Sequence, residues 1–224
     1  MATPTIFVTG TDTGVGKTLV ARALLLRLRA QGLRAAGFKP VASGARRTPQ
    51  GLRNEDALAL LTASAPGLDY AAVNPYCFEP PIAPHLAARE AQQVIRIETL
   101  NAAYERLAQA YERVIVEGAG GWRVPLDESL TFAEWVGAHR WPVLLVVGMR
   151  LGCLNHALLT AESVLRHTEL CGWVANVPPP APQRLQENID TLRARLPAPL
   201  LGIVPEGSSA EQAAASLTWP ESAV

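Results

Sequence analysis

The sequence predicts an α/β fold in which a mostly parallel sheet carries helices on both faces. Short runs of apolar, β-branched residues alternate along the chain with segments of helical periodicity. Strands that read as continuous apolar runs are typical of parallel sheets that are buried on both faces. The length of 224 residues, without a low-complexity linker, favours a single domain over residues 1–224.

The first strand and the first helix enclose a glycine-rich connection. Thr5–Thr9 is a short apolar run that stops at Gly10, which predicts a buried strand. From Thr18 onwards, apolar residues recur at helical spacing until Gly32, a residue suited to the end of a helix. The connection therefore lies where a strand ends and a helix begins, and α/β sheets bind ligands at such places.

The next segments are shorter and less regular. Arg34–Phe38 predicts a second strand, which Pro40 stops. Asn54 is suited to cap a helix over Glu55–Leu61, because its side chain can accept a hydrogen bond from the first turn. The stretch Asp69–Pro84 contains four prolines, which predicts a loop.

The remaining elements repeat the alternation of strand and helix. Apolar runs predict strands at Arg113–Glu117, Pro142–Val147, Gly172–Asn176 and Leu200–Val204. Helical spacing predicts helices at Leu86–Gln93, Glu98–Glu112, Leu154–Leu165 and Gln183–Leu196. Since ligands bind such sheets beyond the carboxyl ends of the strands, the residues that follow each strand are the candidates for a site.

Composition and charge exclude several classes of protein. The 20 basic and 20 acidic residues give a net charge of 0, which argues against a chain that binds nucleic acid backbones. The sequence has no run of 18 apolar residues, and its start lacks the basic segment of a secretory signal. Three cysteines (Cys77, Cys153 and Cys171) form no CxxC pair, which favours reduced thiols over disulfides or a zinc site. We therefore expect a cytoplasmic protein that is not bound to a membrane.

Residues 10–18, between the first strand and the first helix, have the character of a phosphate-binding loop. Gly14 and Gly16 allow the backbone to approach a polyphosphate, and the N–H groups at the start of the helix point toward it. Lys17 can reach the β- and γ-phosphates, and the Thr18 hydroxyl can hold Mg²⁺. The spacing departs from GxxxxGK[ST], because the first glycine stands one residue too early. The position between a strand and a helix nevertheless predicts nucleotide binding.

Two acids and one lysine near the ends of elements are candidates for metal and substrate contacts. Glu117 ends a buried strand, where it suits a Mg²⁺ ligand of the Walker B type, although an acid exposed at a strand end is the alternative. The position of Asp56, taken alone, favours a charge that stabilises a helix N-terminus. The position of Lys39 after the second strand, taken alone, favours a solvated surface lysine. Lys39 and Lys17 are, however, the only two lysines in a chain rich in arginine, which suggests that the compact ammonium group matters at Lys39.

Seven short blocks, in order along the chain, resemble the dethiobiotin synthetases, P-loop enzymes of the same broad group as the partition ATPases. The resemblance runs from Phe7 to about Gly202. The blocks are residues 10–18 (GTDTGVGKT), 37–44 (GFKPVASG), 54–58 (NEDAL), 73–76 (VNPY), 116–122 (VEGAGGW), 151–157 (LGCLNHA) and 172–176 (GWVAN). Several ordered blocks make this resemblance more specific than a phosphate loop alone.

The resemblance implies a reaction. In that family, 7,8-diaminopelargonate, CO₂ and ATP give dethiobiotin, ADP and phosphate. One amine of the substrate forms a carbamate, ATP phosphorylates the carbamate, and the second amine closes a cyclic urea with loss of phosphate. The resemblance further implies a P-loop NTPase-like fold, Mg²⁺ as the metal, ATP as co-substrate, and a homodimer whose substrate site lies near the subunit interface.

The resemblance also implies roles for individual residues. It implies Thr13, Lys17 and Lys39 as catalytic residues. It implies Thr18, Asp56 and Glu117 as Mg²⁺ ligands, which replaces the interpretation of Asp56 as a helix-terminal charge. The residues matched to nucleotide contacts are Gly14, Val15, Gly16, Lys17, Thr18, Asp56, Glu117, Gly118, Ala119, Gly120, Asn176, Pro205 and Glu211. The residues matched to substrate contacts are Thr13, Ser43, Leu151, Gly152, Cys153 and Asn155.

Two positions and one segment depart from the family pattern. Gly14 stands where relatives can carry an acid, and Val177 stands where they can carry aspartate. Residues 206–210 diverge, which weakens the match at Glu211. The contacts to the nucleotide and the selectivity for its base are therefore open at these positions.

The main alternative is a P-loop partition or positioning ATPase, a binding machine of related fold. Those proteins usually carry a lysine early in the phosphate loop, where this chain has Asp12. Their DNA-binding forms usually need basic patches, which a net charge of 0 does not favour. A glutamine-dependent amide ligase on the same fold is a second alternative, but its glutaminase domain does not fit within 224 residues.

Overall fold

The computed structural model of the chain describes residues 3–219, which contain ten strands and nine helices. The strands are β1 (Thr5–Gly10), β2 (Ala35–Phe38), β3 (Val41–Ala42), β4 (Arg46–Thr48), β5 (Gly51–Arg53), β6 (Tyr76–Cys77), β7 (Arg113–Glu117), β8 (Val143–Gly148), β9 (Leu170–Asn176) and β10 (Leu200–Val204). The helices are α1 (Lys17–Ala30), α2 (Glu55–Ala63), α3 (Tyr70–Val73), α4 (Pro84–Glu90), α5 (Ile97–Ala110), α6 (Phe132–His139), α7 (Cys153–Leu165), α8 (Leu185–Arg195) and α9 (Ala210–Ser216).

Six of the strands form one central sheet in the order β10-β9-β8-β1-β7-β2. Every neighbouring pair in this sheet is parallel, so the carboxyl ends of the six strands lie along one edge. Strand β1 lies between β7 and β8, which places the loop after β1 well inside that edge. The prediction of an α/β fold with a parallel sheet is confirmed.

Hydrophobic cores lie on both faces of the central sheet. Phe7 of β1 packs in one cluster together with Trp135 and Trp173. The next residue, Val8, packs in the other cluster together with Leu24 of α1. Successive side chains of a strand point to opposite faces, so β1 is buried throughout. Burial on both faces explains why the strands of this sheet read as continuous apolar runs.

The six predicted strands of the central sheet all occur, with ends that differ by at most two residues. The predicted loop at Asp69–Pro84 is wrong in part, because α3 and β6 lie within it. Asp69 caps α3 by accepting a hydrogen bond from Ala72 N at 2.7 Å. A helix of four residues is too short to show a hydrophobic period, so periodicity could not reveal it.

Helices α6 and α9 and the hairpin of β4 and β5 lie outside the predicted elements. Helix α6 begins with a capping box formed by Thr131 and Glu134. Helix α9 begins with a similar box formed by Ser209 and Gln212. Since both helices have only seven or eight residues, the capping pattern is a stronger sequence signal for them than the hydrophobic period.

The three cysteines are free thiols in the structure, as the sequence predicts. Burial raises the pKa of the Cys171 thiol, which keeps it protonated. Among the helices of residues 3–219, none combines the length and the apolar character that a bilayer span requires.

Candidate functional site

A cavity of about 610 Å³ lies at the carboxyl edge of the sheet, beside the loop between β1 and α1. The loop, the residues after β2, the start of α2 and the residues after β7 all contribute to it. The predicted site residues that line the cavity are Thr13, Gly14, Gly16, Lys17, Thr18, Lys39, Ser43, Asp56, Glu117, Ala119 and Gly120. The lining residues that the sequence analysis did not assign to a site are Asn54, Pro81, Ile82, Ala83, Pro84 and Val124.

The end of the phosphate loop adopts a conformation that requires glycine. Gly16 has a φ of 93°, in the left-handed region. A Cβ atom at Gly16 would lie 2.3 Å from Nδ2 of Asn176. The Asn176 amide in turn donates a hydrogen bond of 2.9 Å to Val15 O. Asn176 therefore stabilises the phosphate loop through its side-chain amide. The N-terminus of α1 faces the cavity, an orientation that suits a bound phosphate.

The early glycine of the phosphate loop has a packing reason. Val15 is buried beneath the loop. A Cβ atom at Gly10 would lie 2.5 Å from Val15 Cγ2, and one at Gly148 would lie 2.8 Å from Val15 Cγ1. Glycine at position 10, one residue earlier than the usual spacing, thus leaves space for the Val15 side chain, which packs against β1 and β8.

Lys17 is buried beside the cavity and donates a hydrogen bond of 2.9 Å from Nζ to Asp12 O. Burial, together with the nearby charge of Lys39, lowers the pKa of Lys17 to about 8. The Asp12 carboxylate accepts a hydrogen bond of 2.7 Å from Thr13 N and forms an ion pair with Arg150. A phosphate oxygen that replaced the Asp12 carbonyl would bring the negative charge that favours the protonated form of Lys17.

Lys39 lies at the centre of a buried cluster of charges. Its Nζ atom lies 2.6 Å from Glu117 Oε1 and 3.2 Å from Asp56 Oδ2, and it donates to Gly118 O at 3.1 Å. Burial by itself lowers the pKa of Lys39, but the two carboxylates outweigh it and the net pKa is raised. Burial raises the pKa of Asp56, but the charge of Lys39 and a hydrogen bond from Thr18 outweigh it and the net pKa is lowered. The cluster therefore keeps the Lys39 ammonium and the Asp56 carboxylate charged.

Three side chains of this cluster offer oxygen atoms to a divalent cation. Thr18 Oγ1 donates a hydrogen bond of 2.9 Å to Glu117 Oε1. Glu117 Oε2 is buried and has no hydrogen-bond partner among residues 3–219. Hydroxyl and carboxylate oxygens, with Asp56 as the third donor, suit Mg²⁺, which also keeps water and phosphate ligands. The described residues contain no group of three or more His, Cys, Asp and Glu side chains that could hold a metal.

Ser43 places a polar atom on the same cavity. Its Oγ is buried and has no hydrogen-bond partner within the described part of the chain. The Ser43 carbonyl accepts a hydrogen bond of 3.1 Å from Asn54 Nδ2. A buried hydroxyl that faces a cavity in this way can bind a polar group of a ligand.

Other predicted residues lie along the sheet edge but away from the cavity wall. Pro205 follows β10, which is three strands away from β1, and Glu211 lies in the first turn of α9, a helix that packs against α1. Val177 is buried and donates its N–H to Val204 O at 3.0 Å, which leaves its apolar side chain in the core. The predicted purine contacts thus extend along the edge from β9 to β10.

The predicted substrate segment after β8 does not line the cavity of its own chain. Leu151 is fully exposed, and Gly152 and Asn155 are exposed as well. Cys153 is buried, and its N–H already donates to Arg150 O at 2.9 Å. Within one chain the structure therefore does not bring this segment together with Ser43 and Lys39.

A parallel sheet, a phosphate loop between β1 and α1 and a lysine-carboxylate cluster beside that loop define a P-loop nucleotide-binding protein. The protein family described as an AAA domain matches residues 4–214. This match confirms the predicted P-loop NTPase-like fold.

The chain belongs to the family of ATP-dependent dethiobiotin synthetases, as the resemblance predicted. It is 53% identical over 201 residues to the ATP-dependent dethiobiotin synthetase BioD of Aeromonas hydrophila, with 89% of each chain covered. It is 50% identical over 215 residues to the BioD protein of Xanthomonas euvesicatoria, with 96% of each covered. It is 51% identical over 201 residues to BioD 1 of Escherichia coli, with 89% of each covered. These relatives do not favour the partition ATPase alternative.

Two solved structures of FtsY share the fold at low sequence identity. One is the signal recognition particle receptor FtsY of Elizabethkingia anophelis in complex with GDP, with a TM-score of 0.52 and 16% identity over 93% of this chain. The other is FtsY of Thermotoga maritima, with a TM-score of 0.51 and 17% identity over 93% of this chain. The chain spans 58% and 63% of those two chains, respectively, and the likeness concerns the fold alone.

Proposed function

We propose that this protein makes dethiobiotin from 7,8-diaminopelargonate and CO₂ at the expense of ATP, which yields ADP and phosphate. The observation that supports this most strongly is the identity of 50–53% to proteins named ATP-dependent dethiobiotin synthetase over most of the chain. The cavity supports it as well, because both lysines of the chain and the two carboxylates Asp56 and Glu117 line it together.

The first step that we propose is the formation of a carbamate. The nitrogen lone pair of one substrate amine attacks the carbon of CO₂, a C–N bond forms as the electron pair of one C=O π bond moves onto oxygen, and the nitrogen loses a proton to water. This step needs no side-chain nucleophile, but it creates a carboxylate-like anion. The ammonium of Lys39, which its raised pKa keeps charged, and the hydroxyl of Ser43 are suited to bind that anion.

The second and third steps are phosphoryl transfer and ring closure. A carbamate oxygen attacks the γ-phosphorus of ATP, the bond to the bridging oxygen breaks, and ADP leaves. The second amine then attacks the carbamyl carbon, phosphate leaves with the electron pair of its C–O bond, and a proton is lost as the cyclic urea forms. Lys17 and Lys39 are suited to stabilise the negative charge that spreads over the transferred group, and Thr13 lies beside them on the cavity.

We propose Mg²⁺ as the metal of this site, held by Thr18, Asp56 and Glu117. The orphaned buried oxygen of Glu117 and the neighbouring hydroxyl of Thr18 support this choice. When bound, the ion would neutralise charge on the phosphate oxygens of ATP. The protein residues position those oxygens: the N-terminus of α1 faces the phosphates, and Lys17 pairs with them.

We also propose a cytoplasmic homodimer in which the segment after β8 reaches the partner's site. The exposed side chains of Leu151, Leu159 and Leu165 at and along α7 support a contact between protein surfaces. Free thiols support a reducing compartment. Light scattering should give twice the mass of one chain, whereas a monomer at working concentration would contradict the shared site.

A single assay tests the proposed reaction. Purified protein receives ATP, Mg²⁺, carbon-13-labelled bicarbonate and 7,8-diaminopelargonate, and mass spectrometry follows the product. We expect one labelled carbon in dethiobiotin for each ADP formed. ATP turnover that is independent of the diamine, without a cyclic urea, would overturn the proposal and favour the partition ATPase alternative.

A further inference from the structure

Hydrogen bonds link three site segments, which are separate along the chain, to one tyrosine hydroxyl outside the cavity. Lys39 follows β2, Ser43 follows β3, and Asp56 lies in the first turn of α2. Tyr70, in the single turn α3, accepts a hydrogen bond of 2.8 Å from Asn54 N. The Tyr70 hydroxyl donates in turn to Asn74 Oδ1 at 2.9 Å. The hydroxyl thus connects the main chain of Asn54 to the side chain of Asn74, and each of these asparagines contacts a site segment.

Asn74 holds the main chain at Lys39. Its Nδ2 donates to Lys39 O at 2.7 Å and to Tyr76 O at 2.9 Å. The N–H of Lys39 donates to Val73 O at 2.8 Å. Asn74 is only 4% exposed, so water does not compete for these bonds. The backbone that carries the Lys39 ammonium is therefore fixed on both sides by residues 73 and 74.

Asn54 holds the other two segments. Its Oδ1 accepts a hydrogen bond of 3.2 Å from Ala57 N, which caps the helix that carries Asp56. Its Nδ2 donates to Ser43 O at 3.1 Å. Asn54 is 6% exposed, and its backbone N–H donates the hydrogen bond to the Tyr70 hydroxyl. One buried side chain therefore links the start of α2 to the segment of Ser43.

We propose that Tyr70 is a positioning residue, whose hydroxyl, through Asn54 and Asn74, keeps Lys39, Ser43 and Asp56 in register for the reaction proposed above. Tyr70 does not line the cavity, and the hydrogen bonds that join its hydroxyl to the site segments run through the two asparagines. The guanidinium of Arg53 lies 4.2 Å from the centre of the Tyr70 ring and holds the ring in place.

The state of the Tyr70 hydroxyl suits this role. Burial, together with a contact of 3.3 Å to Cys77 Sγ, raises the pKa of Tyr70, so the group stays protonated and can donate to Asn74. A tyrosine that both accepts from one asparagine and donates to the other completes a continuous chain of hydrogen bonds. Such chains define one geometry, because each member depends on the orientation of its neighbours.

A matched pair of variants tests the proposal through catalysis. Tyr70→Phe removes only the hydroxyl, and Tyr104→Phe makes the same change at a buried hydrogen bond of 2.9 Å to Thr5, at the other end of β1. We expect Tyr70→Phe to lower kcat by about 10- to 100-fold, the usual cost of misplacing reacting groups. The KM for ATP should change less than kcat, because the phosphate loop itself has no hydrogen bond to Tyr70. A kcat of Tyr70→Phe equal to that of Tyr104→Phe would overturn the proposal.

Lysine labelling provides a second measurement that does not depend on activity. The chain has only two lysines, so a nitrogen-15 lysine sample gives one backbone signal for Lys17 and one for Lys39. We expect Tyr70→Phe to shift the Lys39 signal and to leave the Lys17 signal in place, whereas Tyr104→Phe shifts neither. Equal shifts of both signals would indicate a general loss of structure and would contradict a positioning role.

A second variant covers the case in which Tyr70→Phe does not fold. Asn74→Asp keeps the acceptor for Tyr70 but replaces the two donors that hold Lys39 and Tyr76, so it should shift the same Lys39 signal and lower kcat. An unchanged Lys39 signal in this variant would also contradict the proposal. If the wild-type protein makes no dethiobiotin and the Lys39 signal still shifts, the proposed reaction fails but the positioning role of Tyr70 stands.

Discussion

The two edges of the central sheet bury polar side chains in different ways. At the carboxyl edge, Lys39 and Glu117 are charged and lie 2.6 Å apart, and Glu117 keeps one oxygen without a protein partner in the described chain. At the amino edge, the polar groups are neutral and only partly buried. Asn101 Oδ1 accepts a hydrogen bond of 2.8 Å from Trp135 Nε1 and lies 2.9 Å from His139 Nε2.

The amino edge combines these hydrogen bonds with close packing of aromatic rings. The His139 ring stacks on Trp141 at 4.2 Å with an angle of 9° between the planes. Trp135 and Tyr104 contact the same indole, with ring centres 5.1 Å and 4.5 Å away. Burial lowers the pKa of His139, against the opposing charge of Glu105, so this cluster favours a neutral imidazole.

The difference between the two edges indicates which polar groups stabilise the fold and which are placed for ligand binding. Neutral groups that pair within the protein stabilise the fold and need no ligand. A buried ion pair contributes little net stability, because desolvation of the two charges offsets their attraction. The carboxyl edge nevertheless keeps such a pair and leaves Glu117 Oε2 and Ser43 Oγ without hydrogen-bond partners among residues 3–219. Its arrangement is therefore better explained by ligand binding than by folding.

The largest expected effect is that of Lys39→Met. We expect turnover to fall by about 100- to 1,000-fold, because an ammonium that stabilises developing charge is lost. We also expect a loss of about 3–5 kcal/mol in the free energy of unfolding, because Glu117 remains as an unpaired buried charge. Steady-state kinetics and urea denaturation measure the two quantities.

The double variant Lys39→Met, Glu117→Gln separates these two losses. It removes both charges of the pair, so most of the stability should return while turnover stays low. A double variant as unstable as Lys39→Met would show that the pair stabilises the fold. The contrast between the two edges would then be wrong.

The second expected effect concerns two glycines of the same phosphate loop. Gly16→Ala places a Cβ 2.3 Å from Asn176 Nδ2 at a φ of 93°, so we expect ATP binding to weaken by about 10- to 100-fold. Gly14→Ala is the matched control, because Gly14 also has a positive φ of 72°. A Cβ atom at Gly14, however, would have no atom of residues 3–219 within 4 Å. Calorimetric titration with ATP measures both affinities. Equal losses in the two variants would show that backbone strain, and not the contact with Asn176, explains the requirement for glycine.

The sequence predicted the strands of the sheet far better than its short elements. A strand buried on both faces must be apolar throughout, so Val143–Gly148 is visible as a local pattern. The order of the strands depends on crossovers between distant segments, and no local pattern contains it. The hairpin of β4 and β5 is polar and partly exposed, so its residues show no hydrophobic alternation.

The candidate site was predictable where local chemistry is unusual. Lys17, Thr18 and Glu117 stand out from the residues alone, because they occupy a glycine-rich turn and a strand end. Asp56 does not, since its place in a first turn has an ordinary explanation, and only the fold brings it within 3.2 Å of Lys39. Tyr70 lies in a stretch that prolines identify as a loop, so its hydrogen bonds to Asn54 and Asn74 have no counterpart in the sequence pattern.

The smallest expected effect is a pH dependence that comes from the amino edge. His139 has a lowered pKa in the folded protein, whereas in the unfolded chain its pKa is about 6.5. As the pH falls through about 6.5, the unfolded chain therefore binds more protons at this residue than the folded protein does, and the free energy of unfolding falls. Above that pH both states are neutral at His139, and the contribution disappears.

Urea denaturation between pH 7.5 and pH 5 measures this dependence. The variant His139→Gln should lose less stability on acidification than the wild type, because it has no imidazole to protonate. The matched control is His156→Gln, which removes an exposed imidazole and should keep the dependence of the wild type. If His139→Gln and the wild type lose equal stability, the protonation of His139 does not oppose folding. The amino edge would then tolerate a charge, as the carboxyl edge does. The distinction between a neutral edge that stabilises the fold and a charged edge that binds ligands would then rest on Lys39 and Glu117 alone.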